Sequence, residues 1–162
     1  MIISNTTPIN NLLHLNQLQL LINLFKKVHI PSAVDDELNV VHGNSIAYQQ
    51  CITGGQIVIH STSNFFLVNQ LLPSLHLGEA QAISLCMELK GKLFLIDDKD
   101  GRTVAQLNGI PITGTLGILL RAKKEGLISS VKHLLDKLRS EHHFWIKQDM
   151  YEKILQLANE KD

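Results

Sequence analysis

The chain has 162 residues, and its 15 lysines and arginines balance 15 aspartates and glutamates for a formal net charge of zero. That balance excludes a broadly basic nucleic-acid coat protein, though not binding through a local basic patch. With 44% hydrophobic and 19% charged residues it is neither disordered nor fibrous, and it is long enough to bury a core without staples.

Met1-Ile2-Ile3 is a short apolar run that ends at Ser4-Asn5-Thr6-Thr7-Pro8, and Pro8 suits the first helical position behind Thr7 as cap. Leucine-rich stretches at 9–15 and 18–25 have helical spacing. Val28-His29-Ile30 reads as a second strand, after which Pro31 opens a helix containing Glu37. A helix near 46–51 precedes the strand Ile57-Val58-Ile59. Gly78-Glu79 begins a helix whose Ala82, Ile83, Cys86 and Leu89 recur at three or four positions. Leu93-Phe94-Leu95-Ile96 is a fully apolar strand, followed at once by Asp97-Asp98. A helix over 102–107 and the strand Ile110-Pro111-Ile112 come next, and Thr115 is placed to cap a helix over 116–124. A helix near 130–140, the apolar Phe144-Trp145-Ile146 and a last helix from Asp149 complete the chain. Trp145, in an apolar run, is expected in the core.

Two cysteines, Cys51 and Cys86, are too few for a disulfide framework and lack C-x-x-C spacing, which fits a reduced, cytoplasmic protein. No apolar run approaches the ~18 residues of a membrane span, and no basic-then-apolar leader is evident. No membrane association is expected.

Apolar runs alternating with helices point to an α/β fold with a mostly parallel sheet covered on both faces. In such folds the functional crevice lies beyond the carboxyl ends of the strands. Asn5, with Thr6 beside it, follows the first strand. Asp97 and Asp98 follow the Leu93–Ile96 run, and Thr113 and Thr115 follow the last. Glu37 lies about two turns into its helix, and Glu79 in the first turn of another, where a carboxylate also suits the helix dipole. Oxygen donors with several carboxylates suit Mg²⁺ or Mn²⁺ rather than zinc or copper, and such an ion orients water and stabilises charge on a phosphoryl group. Each residue alone also has a plainer reading. Glu79 is then a first-turn acid, Asp97-Asp98-Lys99-Asp100-Gly101 an acidic turn, and Glu37, beside Asp35 and Asp36, a solvated helix face.

Five segments, in order, resemble PIN-domain proteins and in particular their DUF3368 branch: Ile2-Ile3-Ser4-Asn5-Thr6-Thr7-Pro8-Ile9; Val28-His29-Ile30-Pro31 with Glu37-Leu38; Gly78-Glu79-Ala80-Gln81-Ala82-Ile83; Leu95-Ile96-Asp97-Asp98-Lys99-Asp100-Gly101-Arg102; and Thr113-Gly114-Thr115-Leu116-Gly117. The motifs run from residue 2 to about residue 126, within one PIN-like domain over 1–162 whose part from 127 onward is helical. The resemblance implies a three-layer α/β/α sandwich and a Mg²⁺- or Mn²⁺-dependent endoribonuclease of the cytoplasm. It also implies the toxin half of a prokaryotic toxin–antitoxin pair, with RNA as substrate, an antitoxin protein as partner and a possible homodimer through helices in 9–25.

Carried over by position, the family's acids fall at Asn5, Glu37, Glu79 and Asp97 or Asp98, with Asp98 favoured as the final one. Of these, Asn5, Glu79, Asp97 and Asp98 are the expected metal holders. Thr113 or Thr115 matches the hydroxyl that closes the pocket, and Thr6, Asp100 and Arg102 are candidate pocket or phosphate contacts. The chain departs from the pattern at Asn5, where PIN nucleases usually carry Asp: an amide offers an oxygen but no charge. The competing reading is therefore a catalytically degenerate PIN-like domain that acts as a binding or regulatory partner. A phosphatase or DNA nuclease on the same pocket chemistry differs only in substrate. Lys26, Lys27, Lys90, Lys92, Lys99, Arg102, Arg121, Lys123 and Lys124 are the candidate basic surface.

Overall fold

A computed structural model describes residues 1–160. Its five strands are β1 (Ile2–Ser4), β2 (Val28–Pro31), β3 (Ile57–His60), β4 (Leu93–Leu95) and β5 (Ile112–Thr113). They form one all-parallel sheet in the order β3-β2-β1-β4-β5. Ten helices flank it among the described residues: α1 (Thr6–His14), α2 (Gln19–Phe25), α3 (Ser32–His42), α4 (Ile46–Thr53), α5 (Phe65–Leu71), α6 (Leu77–Glu88), α7 (Lys99–Leu107), α8 (Thr115–Lys124), α9 (Val131–Glu141) and α10 (Gln148–Leu157). This α/β architecture is that of a PIN-like fold.

The strands are apolar at successive positions because both faces of the sheet are buried. In register, Ile3 pairs with Phe94, and with Ile96 they face α5, α6 and α7. Leu95, Val28, Ile30 and Ile57 point the other way, into a larger core with α1, α2, α4, α8, α9 and α10. Leu12, Leu13, Leu15, Leu18, Leu20, Leu21 and Leu24 are all buried in that second core. These side chains therefore belong to the core and are not free to form the dimer interface that the resemblance implied for helices in 9–25. Cys51 and Cys86 are free and buried, and no helix among the described residues is long and apolar enough to cross a membrane.

Several local expectations change. α1 starts at Thr6 with Asn5 at its N-cap, not behind Thr7, so Pro8 stands in the first turn, where its missing N–H has no partner to lose. β5 begins at Ile112 rather than Ile110, because Pro111 has no N–H to pair. Gly114, not Thr115, caps α8, and the Thr115 side chain is engaged elsewhere. The helix after β4 begins at Lys99, three residues early, because Asp98 caps it through its own carboxylate. α5 was not legible as an element in the sequence. Trp145 is 77% exposed instead of buried.

Candidate functional site

The carboxyl edge of the sheet gathers the motif residues. Asn5 stands directly after β1, and its backbone N–H donates to the Leu95 carbonyl at 2.9 Å, locking the end of β1 to β4. Because α6 must return the chain to the start of β4, its N-terminus, carrying Glu79, points to that same edge. α3 leaves β2 there too, and brings Glu37 over α1.

A cleft of about 460 Å³ is lined by Asn5, Thr6, Thr7, Glu37, His76, Leu77 and Glu79. Thr6 Oγ1 donates to Glu37 Oε2 in a short hydrogen bond. The Glu37 carboxylate also lies flat against the start of α6, where a Cβ on Gly78 would sit 2.5 Å from Oε1. A side chain at Gly78 would therefore push the Glu37 carboxylate out of this position. The Glu79 side chain turns back to accept the His76 N–H at 3.2 Å and is only 7% exposed. Burial pushes its carboxyl above the usual range, and the nearby charges of Asp98 and Glu37 add to this against the His76 amide. Asn5 is 3% exposed, and its Oδ1 is buried with no hydrogen-bond partner. A buried amide oxygen left unpaired is costly, and such an atom in a cleft calls for a ligand.

The Asp pair divides its labour. Asp98 is exposed, and its Oδ1 accepts the N–H groups of Asp100 at 2.9 Å and Gly101 at 3.0 Å, capping α7 while its charge reaches Glu79. Asp97 turns the other way. Its Oδ1 accepts the Thr115 N–H at 2.8 Å and its Oδ2 the Thr115 hydroxyl at 2.5 Å. Thr115 is fully buried and in turn accepts Asn11 Nδ2 at 3.0 Å. Burial raises the Asp97 carboxyl, while the Thr115 hydrogen bonds and the Arg102 charge pull it back down.

The structure thus brings Asn5, Thr6, Glu37 and Glu79 into one cleft, with Asp98 within electrostatic reach. Asp97, Arg102 and Thr113 line a neighbouring groove instead. Arg102 points inward, its Nη1 donating to the Ile96 carbonyl at 2.9 Å. Asp100 is exposed in the first turn of α7. His76 and Leu77 escaped the sequence reading because neither belongs to a recognisable motif. Asn11 escaped too, and its only signal was a polar residue among the leucines of α1.

Several of the basic residues are tied into the fold. Arg121 pairs with Glu125 at 2.8 Å and covers Phe25, and Lys123 pairs with Glu160 at 3.0 Å.

Apart from the His76 imidazole at its rim, the donors facing the cleft are oxygens, with an unpaired amide oxygen among mutually repelling carboxylates. In kind they fit a hard divalent cation. Each carboxylate currently accepts a hydrogen bond from the protein, and among the described residues no three His, Cys, Asp or Glu side chains stand close enough to grip an ion as they lie.

A search among curated proteins gave no match. The DUF3368 family, described as a PIN domain, matches residues 1–160. PIN domains are generally nucleases and typically use divalent metal ions. With the all-parallel sheet and the acidic cleft at its carboxyl edge, the match over nearly the whole chain decides the assignment: this protein belongs to the DUF3368 family of PIN domains.

Proposed function

We propose that the protein is a divalent-metal-dependent endoribonuclease that hydrolyses RNA phosphodiester bonds at the cleft of Asn5, Glu37 and Glu79, with Asp98 beside it. The observation that carries this reading is the buried, unpartnered Oδ1 of Asn5 in a cleft it shares with two carboxylates. Asn5, Glu37, Glu79 and Asp98 would hold Mg²⁺ or Mn²⁺, which when bound supplies an activated water and charge stabilisation at the phosphoryl group. Glu79, buried beside two like charges, has the strongest electrostatic reason to take a cation. Thr6 holds the Glu37 carboxylate in place. Asp97, with both oxygens spent on Thr115, supports the turn that presents Asp98 rather than facing the cleft itself.

Family membership favours a cytoplasmic toxin held in check by an antitoxin protein that covers this cleft. Expression of the wild type then arrests growth, and expression of Asp98→Asn does not.

The deciding experiment is Mn²⁺-dependent cleavage of a panel of RNA, DNA and small phosphate esters. Asp98→Asn and Glu79→Gln are measured alongside. Cleavage of RNA that requires metal and falls at least about 100-fold in both variants supports the reading. Folded wild type that neither binds Mn²⁺ nor cleaves sinks it. The second reading, a domain that binds without cutting, is favoured by the missing charge at position 5, and recovery of cleavage in Asn5→Asp would identify that charge as the lost element.

A further inference from the structure

Between α9 and α10 residues 142–147 form no regular structure, and the apolar residues there alternate in direction. Phe144 and Ile146 pack, partly buried, against the larger core. Trp145, between them, faces outward. It is the only tryptophan in the chain. Trp145 lines a groove of about 700 Å³ together with the apolar Ile112, Leu116 and Leu120. Asp97, Arg102 and Thr113 also line this groove, so only one peptide unit separates its wall from Asp98.

The charged groups of the groove are unequal. Asp97 has both oxygens taken by Thr115 and stands beside Arg102. Asp149 Oδ1 accepts the Met150 N–H at 2.8 Å at the start of α10. Asp97 is thus answered within the protein, whereas Asp149 stays an exposed charge at the far end of the lining. Arg102 spends a single guanidinium donor, on the Ile96 carbonyl. Lys147 is exposed and makes no ion pair among the described residues. An exposed aromatic ring with an unpaired lysine beside it and an arginine that keeps guanidinium donors to spare suits a flat base with neighbouring phosphates, whereas a purely apolar peptide would leave those donors unused.

We propose that this groove receives an unstacked base of single-stranded RNA adjoining the scissile nucleotide, with Trp145 as the stacking platform and Arg102 and Lys147 on the neighbouring phosphates. The proposal rests on the nuclease reading for the nature of the polymer and extends it to the form of the substrate. A paired base keeps its stack inside the duplex and cannot enter, so the groove selects single strands.

Trp145 is also the reporter. Full-length protein carrying Asp98→Asn, so that substrate persists, is titrated with a mixed-sequence oligoribonucleotide while tryptophan emission is followed. The expected result is saturable quenching by the single strand and none by the same sequence in a duplex. Trp145→Ala should weaken binding of an end-labelled oligonucleotide, read by anisotropy, roughly 5- to 100-fold, and Trp145→Phe should restore most of it. In the otherwise wild-type protein, Trp145→Ala should raise KM and leave kcat unchanged. The ring is exposed, so an unchanged unfolding temperature shows that the variant folds. RNA bound and cleaved with constant emission and no effect of Trp145→Ala overturns the subsite alone, and leaves the groove to a protein partner. RNA neither bound nor cleaved by the wild type overturns the subsite together with the nuclease reading.

Discussion

Thr115 gives two hydrogen bonds to a single carboxylate, its N–H to Oδ1 of Asp97 at 2.8 Å and its hydroxyl to Oδ2 at 2.5 Å. This pair joins the end of β4 to the start of α8, and Asn11 braces it from α1. Gly114 completes the fit, since a Cβ there would collide with the Asp97 carboxylate and the Ile96 carbonyl.

If Asp97 acts as a clamp, its shape matters more than its charge. Asp97→Asn keeps an oxygen for the Thr115 N–H and should cost less than about 1 kcal/mol, with cleavage retained. Asp97→Ala strands the buried Thr115 donors and should cost about 2–3 kcal/mol. Thermal unfolding and the cleavage assay read both, at roughly 2–4 °C per kcal/mol for a chain of this size. Loss of cleavage in a stable Asp97→Asn protein, equal to that of Asp98→Asn, would assign Asp97 to the reacting groups instead.

Glu79 offers a test in the opposite direction. Its carboxyl is raised by burial, with the charges of Asp98 and Glu37 adding to the shift, so the folded state holds this proton more tightly than the unfolded chain. In the metal-free protein the group therefore contributes a stability that is present at acid pH and is lost as pH rises through its folded value. Glu79→Gln removes the charge and should stabilise the metal-free protein at neutral pH by on the order of 1 kcal/mol while abolishing cleavage. Mn²⁺ should raise the unfolding temperature of the wild type more than that of the variant.

Glu160 fastens the end of the described chain. Burial disfavours its charge, yet the N–H groups of Lys132 and Val131, the Lys123 ammonium and the Ser130 hydroxyl outweigh this and hold its carboxyl down at about 2. The stabilisation is complete above the unfolded value and disappears as pH falls from about 4.5 towards 2. Glu160→Gln should lower stability by about 1–3 kcal/mol at pH 7, and by little once the wild-type group is protonated. Denaturant unfolding at the two pH values measures the difference.

Three histidines meet where α1, α3 and α9 end. His14 stacks on His142 at 4.2 Å between ring centroids and meets His42 edge-on at 4.9 Å, while His42 Nε2 lies 2.8 Å from Asn10 Oδ1. Glu141 approaches His142 at 3.8 Å, and His14 Nδ1 is buried without a partner. Burial lowers both His14 and His42, and at His14 the other two rings lower it further. The cluster's stability is therefore present above the unfolded value of about 6.5 and is lost as pH falls through the folded values. The unfolding temperature should drop between pH 7.5 and 5.5, and His14→Gln should flatten that slope. An equal slope in the variant would place the titration elsewhere.

Much of this arrangement was legible in the chain. Apolar runs such as Leu93-Phe94-Leu95-Ile96 specify strands buried on both faces, and the acids that follow them must then lie at the carboxyl edge. Asn5, Glu37, Glu79, Asp97 and Asp98 could be named as candidates from position, because a parallel sheet brings its strand ends together, whereas the preference for Asp98 over Asp97 came only with the family resemblance. The direction of each side chain was not legible. Asp97 and Asp98 are adjacent and chemically identical, and only the depth of Thr115 and the approach of Gly114 turn one inward to the clamp and leave the other to cap α7. Trp145 reads as core by its neighbours, and only the packing of Phe144 and Ile146 on either side forces it outward. Periodicity determines which elements form and which end of the sheet is chemical. The aim of an individual polar group depends on partners far away in sequence, such as Asn11 for Thr115, and that only the tertiary structure decides.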